Sequence, residues 1–476
     1  MRMAKRLPNA YLPRVGRRTT LRLPGYRTLD RRGGVREGCL CEARGVDPAR
    51  LPELCALPAP QKSGYAVAGT PLSMQVLDGD IYVTVNNRGT VYFYRFRDGG
   101  MNTFSLGTND PNTPRSVLLF RYYGNPNNPI GSSTNFRKAV IFPDGKLCKI
   151  DSAPPTLHNL QRNKDTEIPP LTHACVYLSR VFGVCEDRLY ASGFNAAGAW
   201  NYDTADDISA TNAWVTTSQS STRASGDFTG IAVYGGQVLA FKESFCQVVH
   251  NTRNPFRLSD LMTVGTVDGR SIAEAGGYLF FAGRGQVYRY DGDSAREIGD
   301  PLGISDFTGS FGAGAGGLYY LYVPSAETIF VYSPQTDAWS TLPAFTTAPI
   351  LAMAATDTVC YFLSADGIIY TTEGAQAGPL HAEAAPLIPA GEGSFRLARL
   401  RLTLTAEEGA TLSVSYRDTK GHETPLLAYT GTGGTHRVIS RTLSPADYGG
   451  KLIFAGNGDV RIHGIELVTQ TAETDD

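Results

Sequence analysis

The chain has 476 residues, 42% hydrophobic and 19% charged, with a net charge of −1. That length favours two or three domains, and the composition is ordinary for a globular protein. No apolar run reaches the roughly 18 residues that a membrane-spanning helix requires. The charge is unevenly placed: residues 1–50 hold 13 Lys and Arg against 4 Asp and Glu, and the rest of the chain 31 against 41.

The basic start, "MRMAKRLPNAYLPRVGRR", lacks an apolar segment of signal-peptide type, so no secretory signal is expected. Residues 1–62 show neither a helical nor a strand period. Prolines recur at 8, 13, 24, 48, 52, 58 and 60, and each removes a backbone donor and favours extended geometry. This predicts an extended basic arm that needs another surface to become ordered. "DPARLPELC" (Asp47–Cys55) could hold one short helix, which Pro52 makes marginal.

From about Tyr65 the rhythm changes. "SMQVLDGDIYVTVNNRGTVYFYRF" (Ser73–Phe96) reads as strand, Asp-Gly turn, strand, turn, strand, and "SIAEAGGYLFFAGRGQVYRYDGDSAREI" (Ser271–Ile298) as four strands in a row. Turn signals at intervals of 8–12 residues continue for about 300 residues, within a larger repeat of roughly 40–50. A four-stranded meander of that length cannot bury both faces alone, and stacking such meanders in a ring covers them. Residues 63–375 are therefore expected to form a β-propeller of six or seven blades. In "GQVYRYDG", Tyr288 and Tyr290 should point to one side and Val287 and Arg289 to the other. Residues 376–393 read as a Gly/Ala/Pro linker. Residues 394–470 read as a small β-sandwich, where Arg399, Arg401 and Thr403 interleave with Leu400, Leu402 and Leu404. Residues 471–476 form an acidic tail. The fold class is all-β.

Chemistry is sparse. There is no phosphate-binding loop of Walker type, no H-E-x-x-H and no G-x-S-x-G. The seven histidines are scattered. The eight cysteines form no C-x-x-C pair and read as free thiols packed as small hydrophobes. Many aspartates, such as Asp78, Asp291 and Asp366, sit where turn geometry alone explains them. "SADGIIYTT" (Ser364–Thr372) is similar to the Asp-box hairpin of sialidases, but it lacks the tryptophan and occurs once. Asp203, Asp206 and Asp207 of "DTADD" are the one candidate set of Ca²⁺ ligands, in a stretch that also reads as a solvated loop. No cofactor is expected. Arg14, Arg17, Arg18, Arg31, Arg32 and Arg36 of the arm could dock a partner. Few aromatics interleave with them, which favours an acidic protein surface over nucleic acid.

Three segments carry a resemblance: "SRVFGVCEDRLYASGFNAAGAWNY" (Ser179–Tyr202), "SGDFTGIAVYGGQVLAFKESFCQVVHNTRNPFRLSDL" (Ser225–Leu261) and "VGTVDGRSIAEAGGYLFFAGRGQVYRYDGDSAREIGDPL" (Val264–Leu302). They resemble β-propeller structural proteins of the neck and tail hub of tailed phages and prophages. In that group an Arg-x-Phe/Trp strand leads to a Tyr-Ala-Ser strand and a Gly-x-x-x-x-Trp loop. A strand resembling Phe241-Lys242-Glu243-Ser244 follows, then a Ser-Ile and Gly-x-Tyr-x-Tyr-Asp-Gly hairpin. The N-terminal "LPGYRTLDRRGGVREGCLCEARGVDPARLPELCALPAP" also looks like the leader of such proteins. Phe182 stands where the group usually has tryptophan.

The resemblance implies a virion protein assembled in the host cytoplasm, without enzymatic activity or membrane contact. It would act as a bracket whose partners are other virion subunits in a ring. A receptor- or carbohydrate-binding propeller at a tail tip is the alternative. Its partner would be a bacterial surface glycan, held on Tyr416, Tyr429 or Tyr448 of the sandwich. A propeller glycoside hydrolase is the third reading.

Overall fold

The computed structural model describes residues 18–23, 39–97, 99–108, 118–123, 136–141, 146–149, 156–159, 169–194, 200, 212–216, 226–251, 253, 256–386, 395–440, 444–446 and 450–471. Two compact units divide the chain. One is Ala59–Ala375; the other joins Met1–Pro58 to Gln376–Asp476. Among the described residues no helix is long and apolar enough to cross a membrane.

The unit Ala59–Ala375 is a β-propeller. Among the described residues seven four-stranded antiparallel meanders follow one another, within 70–108, 118–159, 173–215, 228–262, 273–297, 311–341 and 350–371. The seventh has three strands of its own and takes its fourth from Gln61–Ala66, which pairs with Ile368–Thr371. The first strands of the blades are neighbours: Phe311–Ala315 lies beside Ile350–Ala355, and Ile350–Ala355 beside Thr70–Leu77.

The turns explain why the sequence folds into hairpins. Asp78-Gly79, Gly235-Gly236, Gly276-Gly277 and Gly316-Gly317 join the first and second strands of their blades, each with positive φ at both positions. That primed turn matches the right-handed twist of the strands it connects. Asp291 serves its turn by accepting hydrogen bonds from the amides of Asp293 (2.9 Å) and Ser294 (2.8 Å), which hold its carboxyl below the usual range.

Period-two alternation then fills the spaces between blades with aromatic rings. Tyr288 and Tyr290 of blade five pack with Tyr234, Leu239 and Phe241 of blade four. Arg289, on the other face, lies 4.7 Å over the Tyr278 ring and reaches Tyr332 of blade six. The expected facing of this hairpin is observed. On the blade-six side Phe280 stacks on Tyr319 with centroids 4.7 Å apart, and the Tyr319 hydroxyl donates to the Ser271 carbonyl at 2.8 Å. Such ring pairs add about 0.5–1.5 kcal/mol each beyond their area.

The second unit holds two sheets. In one, Arg18–Leu23, Val460–Thr471, Phe395–Ala406 and Thr435–Ser440 lie in that order, and Leu54–Cys55 also pairs with Val460–Thr471. In the other, the order is Leu40–Arg44, Leu380–Ala384, Lys451–Asn457, Thr411–Arg417 and Glu423–Thr430. Leu400, Leu402 and Leu404 are buried while Thr403 is exposed, as the alternation required.

Two boundaries differ from expectation. The first 62 residues were expected to form an arm for another surface, yet Arg18–Leu23, Leu40–Arg44 and Leu54–Cys55 supply strands to this unit's own sheets. Arg18–Leu23 falls in the proline-free window between Pro13 and Pro24, where all backbone donors are kept. The stretch read as a linker contains Leu380–Ala384, an interior strand whose partners are remote in sequence. The marginal helix is a single 3-10 turn, Pro48–Arg50, capped by the Asp47 carboxylate, which accepts from the Ala49 amide at 2.9 Å.

Cys55, Cys175, Cys185, Cys246 and Cys360 are free thiols. Burial pushes the thiols of Cys246 and Cys360 well up, and that of Cys55 to about 11, with Glu53 and Asp47 adding to the last. At pH 7.5 iodoacetamide is therefore expected to leave these three unmodified in the native protein and to label all three in guanidinium chloride. Peptide mass spectrometry reads the outcome, and rapid native labelling of Cys246 or Cys360 would contradict this packing.

Candidate functional site

Asp203, Asp206 and Asp207 lie outside the described residues, as do Arg14, Arg17, Arg31, Arg32 and Arg36. Arg18 opens the strand Arg18–Leu23, opposite Gln470. The expected docking arginines are thus not assembled into a described surface. Of the tyrosines offered as a glycan platform, Tyr448 lies outside the described residues and Tyr429 is half-buried. Tyr416 is ruled out, since it is only 1% exposed on the inner face of its strand.

Two other places stand out. The first is one end of blade three. There the turn equivalent to Gly-Gly and Asp-Gly in other blades is Leu178-Ser179, with φ of 44° and 61°. A non-glycine residue in this region is strained by about 1–2 kcal/mol, because its Cβ crowds the carbonyl that follows. Leu178 is nevertheless exposed (45%), as is Phe194 (42%), which follows the third strand of the same blade at the same end. Beneath them lies the buried Arg180. Its guanidinium donates to the carbonyls of Ser192 (2.5 Å) and Asn212 (2.7 Å), with the ring of Phe194 5.9 Å away and that of Phe256 5.4 Å away. The Ser192 hydroxyl accepts from the Val181 amide at 2.9 Å. The Arg-x-Phe and Tyr-Ala-Ser strands are therefore two halves of one lock, and Phe182 packs edge-on against Phe256. In blade four Lys242 of the Phe-Lys-Glu-Ser strand is buried, with its ammonium 5.0 Å over the Phe228 ring. Burial lowers its pKa, while Asp187 and Asp227 act against that shift.

The second place is a charged face in the other unit. Glu42 and Arg44 sit opposite Glu383 and His381, and Arg417 sits opposite both Lys451 and Glu423. Alternation puts these side chains on one face and the buried Ala382, Val414, Tyr416 and Phe454 on the other. Arg417 bridges Glu383 (2.6 Å) and Glu423 (2.6 Å), and Arg44 pairs with Glu42 (2.5 Å). His381 Nε2 lies 4.0 Å from Glu42 Oε2 and 3.8 Å from Glu383 Oε1, beyond hydrogen-bond range of either.

Sequence reasoning missed Leu178 and the Glu42, His381 and Glu383 group. Aligning the hairpin turns blade against blade would have exposed Leu178-Ser179 as the apolar exception. The H-x-E spacing of His381 and Glu383 carried a weak signal, hidden in a stretch that read as linker.

No family model matches the chain, and no curated protein matches it. Solved structures do. An inactive variant of virginiamycin B lyase from Staphylococcus aureus with quinupristin is 12% identical. That match covers 66% of this chain and 98% of that one, with a TM-score of 0.44. BamB from Moraxella catarrhalis is 12% identical over 64% and 84% of the two chains (TM-score 0.38). YCF48 from Cyanidioschyzon merolae is 12% identical over 66% and 98% (TM-score 0.41). Likeness at this level concerns the fold alone, and all three are propellers. The expectation of a protein without enzymatic activity is corrected here. A lyase shares this fold, so a propeller lacking a familiar sequence motif gives no ground for excluding catalysis.

Proposed function

We propose that the protein is an assembly module of a tailed-phage-like virion, a propeller bracket of the neck or tail region that docks onto neighbouring protein subunits. The observation that carries this reading is the end of blade three. The two-residue turn that carries glycine in blades one, four, five and six here presents a leucine in a strained conformation, at the same end of the blade as an exposed phenylalanine. Strain kept at an exposed apolar tip fits a contact residue better than a folding residue. Phe194 lies within, and Leu178 directly before, the first of the segments that resemble virion propellers, and the Arg180 lock lies at the base of this tip. Docking through a preformed tip needs little ordering of the chain.

Electron cryomicroscopy of the native particle tests the assignment. Density for the propeller at the neck or tail, with Leu178 and Phe194 against a neighbour, is the expected result. Particles that lack the protein would overturn it. A variant separates docking from folding. Leu178→Gly should raise the unfolding free energy by about 1 kcal/mol, because glycine accepts this φ, yet reduce incorporation into particles. A variant that is more stable and incorporates normally would remove Leu178 from the interface.

A further inference from the structure

We propose that Glu42, His381 and Glu383 form a binding site for a first-row divalent cation of the Mn²⁺ and Zn²⁺ class. One nitrogen and two carboxylate oxygens from these residues lie within 4.8 Å of one another, the one such group among the described residues. Three ligands at about 2.0–2.2 Å from a metal stand roughly 3.0–3.6 Å apart, so the widest gap has to close by up to about 1.2–1.8 Å. Side-chain rotation supplies that. The backbone is already set, because Glu42 and Glu383 are cross-strand partners and His381 is two residues from Glu383 on the same face.

The surroundings resemble an outer shell. Arg44 holds one oxygen of Glu42 and leaves Oε2 facing the imidazole. Arg417 fixes Glu383 at 2.6 Å through Oε1, while Oε2 has Lys451 at 4.0 Å, too far for a hydrogen bond. Partners of this kind orient ligating carboxylates in metal sites. Three cations could repel an ion. Here Arg44, Arg417 and Lys451 are balanced by Glu42, Glu383 and Glu423, so the face is neutral before the metal enters. His381 (36% exposed) and Glu42 (31%) border solvent while Glu383 (10%) forms the floor. An ion held from below would keep positions open to water. One imidazole and two carboxylates with open positions suit Mn²⁺, Fe²⁺ or Zn²⁺ better than the oxygen-rich cage Ca²⁺ prefers.

Mn²⁺ is the first probe, because thiols bind it poorly and the chain's cysteines then do not compete. Full-length protein titrated with Mn²⁺ should quench the free-ion electron paramagnetic resonance signal with one equivalent bound, and Zn²⁺ should displace it. His381→Ala and Glu42→Gln, both of which leave the Arg417–Glu383 salt bridge in place, should each weaken Mn²⁺ binding at least tenfold. Their metal-free melting temperatures should match that of the unmodified protein. Absence of binding at millimolar Mn²⁺, or one curve shared by wild type and both variants, would overturn the assignment.

Discussion

Replacing Arg180 by methionine is expected to lower the unfolding free energy by about 3–4 kcal/mol. Arg180 is 2% exposed, and its guanidinium supplies donors to two carbonyls, those of Ser192 and Asn212. Ser192 is fully buried. Methionine replaces the apolar stem and fills much of the volume, so the loss isolates the charged head. Each hydrogen bond from a charged donor contributes about 1.5–3 kcal/mol, and a carbonyl stranded away from water adds its own desolvation. The cation over the Phe256 ring at 5.4 Å adds a smaller share. Arg180→Lys keeps the charge without the planar fork and should lose roughly half as much. Urea titration reads both, with the midpoint falling and the slope unchanged. A methionine variant within 1 kcal/mol of the wild type would mean that the guanidinium is not what holds this end of blade three.

The same residue shows how far the sequence could be read. Arg180, Phe182 and the Tyr190-Ala191-Ser192 strand stood out as a pattern, but a pattern does not say why its residues go together. The reason is a hydrogen-bond lock between neighbouring strands, and that needs register. Local signals were legible because they are local. Asp-Gly and Gly-Gly turns with alternating rings gave the hairpins and so the propeller. Long-range pairing was not legible. Blade seven takes its fourth strand from Gln61–Ala66, and nothing in "QKSGYA" points to a partner near the far end of the unit. The same holds for His381. Leu380–Ala384 is a five-residue, alanine-rich strand that turns polar on one face only when Leu40–Arg44 and Lys451–Asn457 flank it. The basic, proline-bearing start was read as an arm because prolines dominate its composition. Strands form in the windows between them.

Gly314→Ala should lower the unfolding free energy by about 3 kcal/mol, a large effect for the addition of one methyl group. In most strands the change from glycine to alanine stabilises, because it restricts the unfolded chain. The sign reverses here for a steric reason. Gly314 lies in Phe311–Ala315, the first strand of blade six, and faces the first strand of blade five, Ala273–Ala275. A Cβ on Gly314 would come within 1.8 Å of the Glu274 carbonyl oxygen, far inside van der Waals contact, and crowd Ala275, and backbone cannot swing aside as a flexible side chain can. Gly312, two residues earlier, faces the Ser271 carbonyl and the Tyr319 ring in the same way. The "FGAGAGG" run that looks like low complexity is therefore the surface on which two blades meet. Gly277 provides the contrast. Its φ is +82° and a Cβ there would meet nothing within 4 Å, so Gly277→Ala tests conformation without crowding and should lose only about 1 kcal/mol. Equal losses at the two positions would show that blades five and six are not in backbone contact at Gly314. A loss confined to Gly314→Ala, with a sharper fall for Gly314→Val, would place the resistance in the rigid first strands whose close approach sets the spacing of these blades.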